Sequence, residues 1–123
     1  MSQEPMNPPE LRSHFIDAAC ISWTPTEFPG IEMKILYSDK EGRSAILFRM
    51  EPGAVVPLHR HQALEMTYML EGDLEDEEGA CTSGNFVWRP GGNRHIAHTK
   101  HGALFLSIFN KPNAFEEIGR AHV

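Results

Sequence analysis

The sequence predicts an all-β domain, a sandwich or barrel, on three observations. Short apolar or alternating runs recur along the 123 residues, Gly- and Pro-rich turns separate them, and no long amphipathic helix precedes the C-terminal tail. One domain is expected at this length, large enough for a real core. The expected division is a flexible N-terminal arm over residues 1–14, one domain over residues 15–112, and a tail over residues 113–123. Pro5, Pro8 and Pro9 oppose any regular element in the arm.

Taken in order, Trp23 to Ile35 carries Pro25, Pro29 and Gly30, and reads as a loop or edge segment entering a strand near Met33–Tyr37. Asp39-Lys40-Glu41-Gly42 has the composition of a hairpin turn. Ser44–Met50 is a strand, Glu51-Pro52-Gly53 a turn, and Val55–His61 the next strand. On the strand from Glu65 to Leu70, Glu65, Thr67 and Met69 share one face, while Met66, Tyr68 and Leu70 take the other. Asp73–Glu78 continues that hairpin. It is strongly acidic but lacks the Asp-x-Asp-x-Asp-Gly spacing of a calcium loop, so it reads as a solvated hairpin. Phe86–Trp88, His95–Thr99 and Ala103–Phe109 complete the strands, and Asn113–Gly119 is expected to form one or two helical turns.

Composition excludes several functions. Hydrophobic residues at 41% and charged ones at 23% are ordinary for a soluble domain. A net charge of −6 without a local Lys/Arg cluster argues against nucleic acid. No apolar run reaches membrane-spanning length, and Met1 to Glu10 is unlike a signal peptide, so no membrane partner is expected. Cys20 and Cys81 are too few and too distant for a disulfide frame or a Cys-x-x-Cys zinc site, so a reducing, cytoplasmic setting is expected.

Function is signalled by His59-Arg60-His61, Glu65 and His95. Two histidines at i and i+2 of a strand point to the same side. Glu65 returns on a neighbouring strand after the bend Gln62-Ala63-Leu64, and His95 follows the turn Pro90-Gly91-Gly92. Three imidazoles and a carboxylate, His59, His61, Glu65 and His95, make a transition-metal site with room for exogenous ligands. Such ligands suit an oxygenase iron or, if all four close on zinc, a structural site; spacing alone leaves both open.

The spacing also forms two frames. Gly53, His59-x-His61, Glu65 and Gly72 make the first; Gly84, Pro90-x-Gly92 and His95 make the second, with Thr99 where an Asn is usual. In these frames the chain resembles the cupin superfamily, which implies a single-domain cupin, a jelly-roll barrel. Trp23-Thr24-Pro25, Pro29-Gly30-Ile31, Lys34-Ile35-Leu36 and Leu70-Glu71-Gly72-Asp73-Leu74 are similar to the ChrR-like cupins. That group includes the sensor half of zinc-binding anti-sigma factors and proteins similar to dihydroxyacetophenone dioxygenases, with acetylacetone-cleaving dioxygenases a more distant likeness. The anti-sigma role is demoted, because only about twenty residues precede Trp23 where the sigma-binding domain would lie. The dioxygenase likeness implies one divalent metal, Fe(II) favoured with Zn, Ni or Mn as alternatives. It also implies O₂ and a small ketone or diketone as partners. In that likeness Glu65 is either a ligand or a catalytic partner that orients one. A non-enzymatic metal-binding or sensor cupin is the alternative.

Thr67 and Met69 should line the cavity if Glu65 does. Phe86 and Trp88 are pocket candidates too, with plain core the favoured role. Arg49 and Arg60 read as surface residues. Alternation turns His98 away from His95, His101 lies in a turn, and His14 and His122 lie in the tails, so none of these is expected to be a ligand. Ile16 to Trp23 looks too isolated to bury itself and is expected to pack on a second subunit in a homodimer.

Overall fold

The computed structural model describes residues 6–115. Two short 3₁₀ turns, Pro9–Leu11 and Ala18–Cys20, precede the strands. The strands are β1 (Thr24–Pro25), β2 (Ile31–Ser38), β3 (Ser44–Met50), β4 (Val55–His61), β5 (Glu65–Glu75), β6 (Ala80–Thr82), β7 (Phe86–Arg89), β8 (Arg94–His98), β9 (Ala103–Phe109) and β10 (Asn113–Phe115). They pair antiparallel in the order β1-β2-β3-β9-β5-β8-β4-β10, with β6 and β7 also beside β5. The sheet curls into a half-barrel, a cupin jelly roll. One wall is β2, β3, β9 and the first part of β5; the other is β8, β4 and β10.

β5 joins the walls. From Glu65 to Gly72 it pairs with β9, while Asp73–Glu75 pairs with β6 and Glu75 reaches β8. The crossing is at Gly72, whose φ of 82° lies in the left-handed region. A Cβ there would stand 1.9 Å from the Gly102 carbonyl oxygen, so only glycine fits. The bond from Asp73 N–H to that same oxygen, 3.1 Å, fastens the corner. Asp73 then accepts from the Thr99 hydroxyl (2.7 Å), Lys100 N–H (3.1 Å) and His101 Nδ1 (2.7 Å). Thr99, buried, thus braces the corner and is not part of the ligand set.

Alternation sets what faces inward. On β3, Ile46 and Phe48 look into the half-barrel, and in register across from them on β9 stand Ser107 and Phe105. The Phe48 and Phe105 rings stack at 5.4 Å and Phe109 meets Phe48 edge-on at 6.2 Å, so aromatic area seals this wall. Met69 is fully buried at the base of the core with Met50 and Leu74.

Two expectations change. Asn113–Phe115 is a strand, not a helical turn: it completes the edge of β4, with Asn113 opposite His61 and Phe115 opposite His59. A free edge offering backbone donors and acceptors outweighs a weak helical tendency over three residues; residues 116–119 of that expected turn lie outside the described residues. The Ile16–Trp23 segment also buries part of itself. Lys34 Nζ donates to the Ala18 carbonyl (2.8 Å), and both Lys34 and the Arg49 guanidinium lie over the Trp23 ring, at 4.7 and 4.3 Å. Phe15 and Ile16 stay exposed.

Candidate metal centre

β4 delivers two imidazoles to one side because Arg60, between them, faces out while His59 and His61 are buried. A bulge between Val56 and His59 breaks the β4–β8 register and re-aims the strand. Past it, His59 lies directly opposite His95 on β8. Nε2 of His95 is 2.9 Å from Nε2 of His59 and 3.0 Å from Nε2 of His61. His59, His61 and His95 are the described residues whose donor atoms converge as a metal-ligating group.

Their outer nitrogens explain why these contacts are not ordinary hydrogen bonds. His59 Nδ1 donates to the Pro57 carbonyl at 2.8 Å, and His95 Nδ1 donates to Asp76 Oδ2 at 2.7 Å. Each of these two rings therefore keeps its single proton outward and points a bare Nε2 lone pair at the other. Lone pairs 2.9 Å apart repel unless a cation lies between them. Imidazole nitrogens at about 2.1 Å from one ion stand about 3.0–3.4 Å apart, and the observed spacings fit the compact end of that range. The rings also stay neutral, as metal ligands must. Burial pushes His59 down to about 4 and His61 down to about 3, and lowers His95 despite its carboxylate partner. The donor set fits a divalent transition metal.

Glu65 stands back from this group. Its Oε2 is 3.6 Å from His61 Nδ1, the outer face of that ring, and 4.0 Å from Arg89 Nε. Burial raises its carboxyl to about 7, against the pull of Arg89 and Asn113. His61 Nδ1 and Asn113 Oδ1 are buried without a hydrogen-bond partner, so polar capacity beside Glu65 is unfilled.

A cavity of about 650 Å³ opens from the histidines toward the β2–β3 hairpin. Glu65 and Thr67 line it, with Thr67 Oγ1 bonded to Ser107 Oγ at 2.7 Å. Met69 shares their inward face but is packed beneath the cavity, in the core. Phe86 and Trp88 do not line this cavity and are not core: they are 54% and 61% exposed, on the outer face, beside a separate surface cleft. The register is the cause. Glu65 pairs with Arg89 and Thr67 with Val87, so the aromatics fall beside outward Tyr68 and Met66. His98 turns away toward Glu75, as alternation requires, and His101 is exposed in its turn. Arg49 pairs with Glu32 on the outer surface, and Arg60 is exposed.

Three residues escaped the sequence. Asp76, in the stretch expected to be solvated, has a side chain only 2% exposed. Its Oδ1 caps the Glu78 and Gly79 N–H groups, which turns Oδ2 inward to His95 and to Arg89 Nη1 (2.8 Å). Burial would raise this carboxyl, yet His95, the backbone donors and Arg89 together hold it below the usual range. The Asp76-x-x-Gly79 turn pattern was the available signal. Arg89, buried between Asp76 and Glu65, and Asn113, beside His61, carry no spacing signature.

Fold and site together define a cupin with a three-histidine centre. More narrowly, the chain belongs to the family of ChrR cupin-like domains, whose sequence profile matches residues 11–114. It is similar in structure to a protein assigned as an acetylacetone dioxygenase from Methylibium petroleiphilum PM1. That likeness has a TM-score of 0.81 and 16% identity, over 96% of this chain and 90% of the other. It is also similar to an acetylacetone dioxygenase from Acinetobacter johnsonii, with a TM-score of 0.75 and 17% identity, over 98% and 89% of the two chains. The anti-sigma factor ChrR, solved with SigE of Rhodobacter sphaeroides, gives 0.65 and 25% identity over 74% of this chain and 49% of the other. No curated protein sequence matches significantly. Among the described residues no helix is long and apolar enough to cross a membrane.

Proposed function

We propose that this cupin is a non-haem Fe(II) dioxygenase that breaks a C–C bond in a small ketone or β-diketone. The observation that carries the proposal is the pair of outward-fixed imidazole protons at His59 and His95, which brings bare Nε2 atoms together on the lining of a largely apolar cavity. Bound Fe(II) would supply chelation of the two substrate oxygens and a place for O₂. A β-diketone and O₂ then give one carboxylic acid and one α-oxoaldehyde. Both oxygen atoms enter products, one C–C bond breaks, and no outside reductant is needed.

The chain supplies the rest. Glu65, the acidic side chain beside the histidines in the cavity, would accept the proton from the carbon between the carbonyls. Asp76 and the Pro57 carbonyl hold two rings in the metal-binding tautomer. Phe48, Phe105 and Phe109 line the cavity with apolar surface that would help exclude water. Oxygen uptake by Fe(II)-loaded protein over a panel of diketones, hydroxyketones and phenolic ketones tests this. Uptake above the free-iron blank is expected, and its absence for every compound would leave a non-enzymatic metal-binding or sensor module, the role the likeness to ChrR favours.

We also assign the protein a homodimeric state. Exposed Phe15 and Ile16 of the N-terminal segment, with Tyr68, Phe86, Trp88 and Ile108 on the outer face, leave apolar surface for a second copy to cover. Light scattering at micromolar concentration should give twice the chain mass; a monomer removes the assignment.

A further inference from the structure

Resting on the dioxygenase reading above, the geometry points to a ligand of particular shape and charge. It is a β-dicarbonyl head at the histidines that carries an uncharged, apolar arm along the β2–β3–β9 wall to the Ile35–Ile46 rim. The cavity is of the size that holds drug-like ligands, far larger than acetylacetone itself. What fills the difference is set by the wall. Met33 and Ile35 on β2, Ile46 and Phe48 on β3, and Phe105 and Phe109 on β9 all line it. Within that wall the Thr67 and Ser107 hydroxyls are bonded to each other at 2.7 Å, which lowers the polarity that this stretch of lining presents to an arm.

Charge along the arm is disfavoured by the same wall. Among the described lining residues Arg43 is the one Lys or Arg, and its guanidinium is paired with Asp39 and Glu41, each at 2.8 Å. The other ionisable side chains on the lining besides the histidines, Glu27, Asp39 and Glu65, are acidic and offer a carboxylate no attraction. A carboxylate on the arm would lose its hydration among isoleucine and phenylalanine side chains and gain no cation in return. Negative charge belongs on the head, beside the metal. The cavity therefore sorts chelating ligands by arm length and by where their charge lies.

Zn(II)-loaded protein tests this without turnover, using calorimetric titration of acetylacetone and of homologues with one methyl extended to propyl and to pentyl. Affinity should rise by up to about fourfold per added methylene, with the pentyl homologue at least about tenfold tighter than acetylacetone even after incomplete burial. A terminal carboxylate on the pentyl arm should abolish that gain. Ile35→Lys, at a half-exposed rim position, should restore binding of the carboxylate relative to the pentyl compound. Equal affinities for the short and long diketones, or undiminished binding of the carboxylate to wild type, would overturn the inference while the dioxygenase reading stands. If Zn(II) loads but no diketone of any length binds, the dioxygenase reading fails and takes this inference with it.

Discussion

The two walls of the half-barrel solve different problems with different chemistry. On the β4–β8–β10 wall, the candidate centre depends on single atoms: His59 Nδ1 on the Pro57 carbonyl and His95 Nδ1 on Asp76. On the β2–β3–β9 wall it depends on volume, supplied by stacked Phe48 and Phe105 and by flanking aliphatic residues. Substitutions on the first wall should therefore change metal affinity more than stability, and those on the second should do the reverse. On the proposed function, separating the two would let one chain hold a metal at one wall and vary the ligand at the other.

The largest effect should come where the walls meet. Gly72→Ala forces a left-handed backbone on alanine and pushes its Cβ into the Gly102 carbonyl. We expect a loss of about 4 kcal/mol in denaturant unfolding, near the whole stability of a small domain, and both functions should fall together. Phe105→Ala, in the apolar wall, should cost about 3 kcal/mol in the same measurement. The metal-loaded protein should still bind one ion per chain. Loss of the ion in this variant would mean that the walls are not independent.

Asp76→Asn sharpens the contrast from the other side. Asparagine keeps the size and one acceptor, but weakens the grip on His95 and frees Arg89 from its partner. Metal affinity should fall about 10- to 100-fold in a competition titration, and the unfolding midpoint of the metal-free protein should fall as well, because Arg89 stays buried beside a neutral partner. Asp73→Asn should be the smallest effect. Thr99 first, then His101, hold the Asp73 carboxyl well below its usual range, against the upward push of burial. Its contribution is therefore complete above about pH 4 and is lost as pH falls through the depressed value. Wild type should exceed the variant by about 1 kcal/mol at neutral pH, and chemical denaturation should show the gap closing below about pH 4. A constant gap across that range would mean that the carboxylate charge plays no part at the corner.

The wall that depends on spacing was legible in the sequence, and the partners of its ligands were not. His59 and His61 follow from two-residue alternation, and His95 from a turn, because a strand fixes direction by counting. The face shared by Glu65, Thr67 and Met69 was readable for the same reason. Asp76 was lost among six acidic residues, since only the turn that caps Glu78 and Gly79 separates it from its solvated neighbours. Phe86 and Trp88 misled because hydrophobicity argues for the inside, whereas the pairing of Glu65 with Arg89 decides which face is in. Asn113 could not be placed without knowing that β4 had a free edge to fill.

The claim at the centre is that His59, His61 and His95 hold one metal ion and that the remaining histidines do not. Anaerobic Fe(II) titration of wild type and single histidine variants tests it directly. Wild type should take one equivalent per chain. His59→Ala, His61→Ala and His95→Ala should each weaken binding beyond the hundredfold that loss of an outer partner can cause, while His98→Ala and His101→Ala bind as wild type does. Undiminished loading in any of the first three variants, or loss of loading in either of the last two, would contradict the account.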